Sequence, residues 1–357
     1  MQPLSATDAI SPAWQHTRRL LLGPRNPGLF FKIAAVAFFA EMANFTFSVG
    51  KPMHASHGGG GGVSPIFVGA IVAIVLACVA IGLVVGFVLF YLSSRLQFTL
   101  FHIVLRSETT VAPIWRRYAA ATWRWMGLKL LFFLAALACI TPIAIPAVFY
   151  FIHAISLQSH GDHSHIVSFI LTMFAVIAFA ALFAITLAVI TILLRDFAVP
   201  SMALEGTPLR ETVRRVIALT RAETGQVALY VLLRVCLGIA GTFVCYLLLG
   251  IVALIVGAPL GGIGFGLWKG LHLAGAGAHA GMIAGWVLLA LVLVTALAIG
   301  VISLFGYLFT FLQAYAIFFL GGRYPLMGQL LVEPPVPVIP APRAQPWPLP
   351  YYTTPPV

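Results

Sequence analysis

The chain has 357 residues, of which 61% are hydrophobic and 8% charged, with a mean hydropathy of +1.04 and a formal net charge of +11. A soluble domain has to hydrate its surface, so this composition excludes one and points to an integral membrane protein. The four cysteines, Cys78, Cys139, Cys236 and Cys245, all lie in apolar stretches, which excludes a disulfide framework and predicts small core residues.

The first 29 residues contain no compact apolar run that ends at a small-residue cleavage site, so no signal peptide is expected and the first span directs insertion. About 20 apolar residues are needed for a helix to cross the hydrocarbon core. By that measure the chain is all-α and polytopic, with six transmembrane helices over roughly 30–49, 66–92, 130–152, 166–194, 227–256 and 282–305. The second and sixth runs continue almost uncharged to about Leu105 and Leu320, too long for one crossing and too short for two, and are expected to emerge as helical extensions. The domain organisation follows: a cytoplasmic segment with an interfacial helix over 1–29, a membrane domain over 30–322, and a proline-rich cytoplasmic tail over 323–357.

Basic residues near span ends stay on the cytoplasmic side. Arg18, Arg19 and Arg25 precede the first span; Arg95, Arg106, Arg116, Arg117 and Arg124 fill the second connection; Arg195, Arg210, Arg214, Arg215 and Arg221 fill the fourth. The alternate connections carry only Lys51 and Lys269. Both termini are therefore expected inside, in an inner membrane of bacterial type. Trp115, Trp123 and Trp125 suit the inner interface, and Trp268 and Trp286 the outer one. The net charge is accounted for by a basic rim beside anionic headgroups, with Arg18, Arg19, Arg116, Arg117, Arg214 and Arg215 as headgroup contacts, and no nucleic acid is implied.

The basic segments resemble one another. "SPAWQHTRRLLL" begins at Ser11, "APIWRRYAAATWR" at Ala112 and "TPLRETVRRVIAL" at Thr207. Ser11 and Thr207 have the chemistry of helix N-caps, and the following proline suits the first helical position. In the third segment Leu209, Val213, Val216 and Thr220 share one helical face, Arg210, Arg214 and Arg221 another, and Glu211 is one turn from Arg215. Such a helix lies along the membrane surface. Each segment precedes two spans, which predicts three repeats of interfacial helix plus transmembrane hairpin. The second copy departs from the pattern, because its paired arginines follow Pro113 by three and four positions, against six and seven elsewhere.

The stretch "RDFAVPSMALEGTPLRETVRRVIALTRAETGQVALYVLLRV", from Arg195 to Val235, carries an Asp-Phe-x-x-Pro, Glu-Gly, Arg-Arg pattern. It resembles uncharacterised bacterial multi-pass membrane proteins, which are similar to the membrane domain that precedes some glycerophosphodiester phosphodiesterases. The resemblance implies a stand-alone membrane domain without the catalytic barrel, and it carries over no catalytic residue.

Eight of the ten histidines fall in the connections assigned outside: His54 and His57, then His153, His160, His163 and His165, then His272 and His279. Imidazole binds zinc or copper, and His160, Asp162, His163 and His165 form the densest donor set. The alternative is a solvated turn, which the glycine-rich flanks of the other histidine loops favour. Ionisable groups inside spans cost roughly 2.5 to 3.5 kcal/mol at a helix centre and so seek partners. Glu41 and Arg234 are two such groups, expected as an interhelical ion pair or, with Glu41 as the coupling group, a transport path. Asp196 beside Arg195 reads as a local salt bridge and helix stop, reinforced by Pro200.

Gly82 and Gly86 have the spacing of a close helix crossing, and Gly238 and Gly241 are a weaker case. Pro142 and Pro146 are expected to kink the third span. "GGIGFG" lacks the spacing and context of a dinucleotide fingerprint. The tail is either a polyproline II ligand or a solubilising end. No catalytic triad, paired catalytic carboxylates or P-loop is present. The expected role is a non-enzymatic scaffold or accessory protein, without a cofactor, that organises lipid, a membrane partner or a second copy of itself. A small transporter near Glu41 and Arg234, or outer-face metal handling, are the alternatives.

Overall fold

Long apolar runs away from water can satisfy their backbone only within helices or closed barrels, and runs without a period-2 alternation favour helices. The structure is a computed structural model that describes residues 2–23, 27–45, 65–107, 111–159, 166–272 and 279–331. Among the described residues every regular element is helical. In chain order they are α1 (Ile10–Leu22), α2 (Pro27–Phe45), α3 (Pro65–Arg106), α4 (Val111–Arg117), α5 (Ala119–Ser159), α6 (Ile166–Leu193), a π-helical turn (Leu194–Ala198), α7 (Val199–Leu204), α8 (Leu209–Ala222), α9 (Thr224–His272), α10 (His279–Gly321) and α11 (Pro325–Leu331).

Among the described residues five stretches are long and apolar enough to cross a membrane: Val72–Arg106, Ala119–Ile152, Ile170–Leu204, Thr224–Gly266 and Ile283–Gly321. This corrects the expected six. The first expected span corresponds to α2, which carries Lys32 and Glu41, and residues 46–49 that would complete it lie outside the described residues. The three equal repeats are corrected as well. α1 and α8 are separate amphipathic helices, but the second basic segment is not: α4 has seven residues, and α5 runs directly from Ala119 into its span. The reason is local. Arg95 donates to the Trp115 carbonyl through Nε (3.1 Å) and Nη2 (2.7 Å), taking up that carbonyl just before the break at Tyr118, so no long basic face forms ahead of the span.

The buried side chains gather at one end of the bundle. α3 contributes Phe98, Phe101 and Val104, α10 contributes Phe305 through Leu320, and α1, α2, α7 and the start of α9 close around them. The two extensions expected beyond the bilayer are therefore helical, to Arg106 and Gly321, and form the centre of this core. α3 alone has 42 residues, about 63 Å of helix against a hydrocarbon core of about 30 Å. Toward the other end, apolar side chains such as Leu83, Phe149, Phe174 and Leu254 are exposed, the composition of a lipid-facing surface.

Close helix crossings fall at Gly241, from the weaker of the two expected pairs, and at Gly306, which was not singled out, rather than at Gly82 and Gly86. Nothing lies within 4 Å of a Cβ placed on Gly82 or Gly86, whereas one on Gly241 would collide with Leu308 and one on Gly306 with the Ala34 backbone of α2. Cys78, Cys139 and Cys236 are exposed on helix flanks and only Cys245 is buried, which corrects the expected core cysteines. Trp125 is buried and donates from Nε1 to Gln97 Oε1 (2.8 Å), while Trp123 is exposed and Trp115 packs under Arg95.

The chain termini of the core hold each other. Tyr315 donates to the Ala6 carbonyl (3.0 Å) and Arg323 to the Leu4 carbonyl (2.8 Å), with Ala6 and Ala9 fully buried. α1 starts at Ile10 rather than at a Ser11 cap, because a turn closed by Ser5 and Asp8 precedes it. Thr207 does not cap α8 either; its hydroxyl pairs with that of Thr212 (2.8 Å), and Pro208 holds the cap position. The apolar face of α8 packs on protein, with Thr212 and Val216 buried and Leu209, Val213 and Leu219 against the core.

Candidate functional site

Five ionisable side chains meet where α2, α5, α9 and α10 surround the π turn. Pro200 has no N–H to give the Asp196 carbonyl, and its ring crowds the ordinary α turn, so the chain takes one wider turn over Leu194–Ala198. That turn sends two consecutive side chains to different partners. Arg195 forms a salt bridge with Glu41 and donates weakly to Gln313 Oε1 (3.5 Å). Asp196 forms a salt bridge with Arg234 Nε (2.9 Å) and receives the Tyr230 hydroxyl (2.7 Å). The expected Arg195–Asp196 local bridge is thus replaced by two interhelical ones. Glu41 and Arg234 each have a strong partner on the π turn, and both are buried.

Arg234 also donates through Nη1 to the Leu312 carbonyl (2.8 Å) and the Tyr230 oxygen (3.2 Å). Among the described residues its Nη2 has no partner, and Asp196 Oδ1 is buried without one. Tyr230 is fully enclosed and stacks on Tyr315 (5.1 Å) and Phe319 (4.4 Å), which fixes the hydroxyl on Asp196. On the far side Lys129 donates to Gln97 Oε1 (3.0 Å) and Ser94 Oγ (3.3 Å), with Trp125 and Phe90 beside its ammonium.

Glu41, Arg195 and Arg234 form the charged floor of a cavity of about 540 Å³. Its walls are Ile192 from α6, Gly238, Ile239, Thr242, Phe243 and Tyr246 from α9, and Leu308, Phe309 and Leu312 from α10. Ile239, Phe243 and Tyr246 are more than half exposed, so the cavity opens sideways along the apolar flank of α9. A polar floor under apolar walls that open onto a lipid-facing surface accommodates an amphiphile better than a water-soluble solute.

The remaining motif residues form a second polar cluster, which is not on the lining of this cavity. Glu205 receives the Tyr324 hydroxyl and Arg215, which also pairs with Glu211 (3.1 Å) as the helical spacing predicts. Gly206 follows with a φ of 63°, a left-handed position that suits glycine, and its carbonyl receives Arg124 Nη1 (2.7 Å). The Tyr324 hydrogen bond, reinforced by Arg215, holds the Glu205 carboxyl below the usual carboxylate range. Burial, reinforced by Glu205, pushes the Tyr324 phenol up. A depressed folded-state carboxyl contributes stability above its unfolded pKa and loses it as pH falls through the folded value; a raised phenol loses its contribution as pH rises above its ordinary value of about 10. The difference in melting temperature between the wild type and Glu205→Gln is therefore expected to be constant from pH 6 to 8, to shrink below the ordinary carboxylate range, and to shrink again above about pH 10. Thermal scans of both proteins across that range check it, and a difference that does not change with pH would contradict it.

The six arginines expected at headgroups, Arg18, Arg19, Arg116, Arg117, Arg214 and Arg215, are all exposed. His160, Asp162, His163 and His165 lie outside the described residues, as do His54 and His57, and so does the tail from 332 onward. Lys129, Gln97, Tyr230 and Gln313 were not singled out from the sequence. The signal for them was there, as isolated hydrogen-bonding side chains within apolar runs, with Tyr230 and Arg234 one helical turn apart.

A family model matches residues 4–330, from the N-terminal turn to α11, and its description is a family of unknown function (DUF7544). The comparisons match no curated protein and no solved structure.

Proposed function

We propose, for a chain that belongs to the DUF7544 family of unknown function, a non-enzymatic role in which it holds and organises a membrane amphiphile in the cleft between α6, α9 and α10. The carrying observation is the cavity of about 540 Å³ with Arg195 and Arg234 at its floor and apolar walls open along α9. Its volume lies in the range of about 300–1,000 Å³ common to small-molecule sites. The salt bridges hold the floor rigid, as a binding site requires. In this reading both termini lie on the cytoplasmic side of a bacterial inner membrane, where the exposed arginines of α1, α4 and α8 contact anionic headgroups. The likeness of residues 195–235 to the membrane domain that precedes some glycerophosphodiester phosphodiesterases suits a lipid-facing role, and supplies no catalytic residue.

Native mass spectrometry tests it. The purified wild type is expected to retain one amphiphile after collisional removal of surface detergent, and Thr242→Trp combined with Ile239→Trp, which fills the cavity from its wall, is expected to lose it. A wild type that retains nothing, or a filled variant that retains as much, would overturn the proposal.

A further inference from the structure

We infer that the cleft selects an amphiphile with an anionic phosphate or carboxylate head, and that Arg234 Nη2 is the donor that receives it. The inference rests on the amphiphile reading above and adds the chemistry of the head. Arg234 is 5% exposed, yet one edge of its guanidinium is uncommitted: Nε faces Asp196, Nη1 serves Leu312 and Tyr230, and Nη2 has no partner among the described residues. The same residue lines the cavity, so the free N–H pair is available to whatever enters.

A buried cation with donors left over favours an acceptor that carries charge, because charge-assisted hydrogen bonds are roughly twice as strong as neutral ones and low-dielectric surroundings screen them little. The surrounding charges agree in sign. On the cavity lining the two guanidiniums of Arg195 and Arg234 stand against a single carboxylate, Glu41. Glu41, the acidic side chain on the cavity wall, is bridged by Arg195, so its repulsion of an incoming anion is offset. A cationic head would meet two guanidiniums, and a neutral sugar head would give up the charge-assisted bond.

Matched single-chain amphiphiles separate the possibilities. Dodecyl phosphate and dodecanoate are expected to displace the retained amphiphile about tenfold more effectively than dodecyl maltoside or dodecyl trimethylammonium, as read by competition in native mass spectrometry. The same series is then run on the double variant Arg234→Gln/Asp196→Asn, which keeps hydrogen-bonding groups and removes both charges together. Its preference for anions is expected to disappear while neutral heads still bind. Equal binding of all heads by the wild type, or an anion preference that survives in the double variant, overturns the assignment of Arg234 and leaves the cleft as an amphiphile site. Binding of no head at all overturns the amphiphile reading instead. Adding phosphatidylglycerol distinguishes the sources, since a two-chain bilayer lipid that outcompetes the single-chain acids assigns the site to phospholipid, and the reverse assigns it to a free acid.

Discussion

Arg234→Leu is expected to leave little folded protein, and Arg234→Leu/Asp196→Leu to recover most of it. Removing the arginine alone strands Asp196, a fully buried carboxylate whose Oδ1 already has no partner and whose Oδ2 would keep only the Tyr230 hydroxyl. Breaking one side of a buried pair costs about 3–5 kcal/mol, whereas replacing both sides by apolar residues of similar volume is close to neutral. That cost is a large part of the stability of a typical domain, about 5–15 kcal/mol. Monodispersity and melting temperature of the detergent-solubilised variants are the measurement. If the single variant melts with the wild type, the Asp196–Arg234 bridge does not hold the site together.

The second large effect is expected at Tyr230. Tyr230→Ala removes a fully enclosed ring from between Tyr315 and Phe319, and takes the hydroxyl from Asp196 at the same time. Truncating a core aromatic costs about 3–5 kcal/mol, and an unsatisfied buried acceptor adds about 1–3. Tyr230→Phe keeps the stack and loses only the second part. The two melting temperatures should therefore be well separated, with Phe the milder change. Equal losses would mean that the ring stack contributes nothing beyond the hydrogen bond.

The helical class, the amphipathic α8 with its Glu211–Arg215 pair, and the helical continuation of α3 to Arg106 and α10 to Gly321 were all legible in the sequence, because each depends on spacing along one helix. Contacts between helices were less so. α3, α9 and α10 are apolar around most of their circumference, so no stripe marks which side meets a neighbour. Gly82 and Gly86 have the right spacing on a flank where no helix packs, while Gly306, with no second glycine at that spacing, takes the close crossing with α2. Asp196 illustrates the same point at the site. Its position at the end of α6 was plain, but its partner depends on the rotation that the π turn introduces. Pro200 was read as a helix stop and instead widens a helix that continues.

The family match covers residues 4–330 and therefore includes α2, the π turn, α9 and α10, the elements that build the cleft. The proposed role depends on that cleft being occupied from the membrane side.

The most direct measurement is photolabelling in lipid nanodiscs with a diazirine-bearing acyl lipid, mapped by peptide mass spectrometry. Occupancy of the cleft predicts adducts concentrated on Ile239, Phe243, Tyr246 and Leu308, suppressed by unlabelled anionic amphiphile and by Thr242→Trp. Adducts spread evenly over the exposed flanks, including residues 72–89 of α3, with no competition, would contradict it.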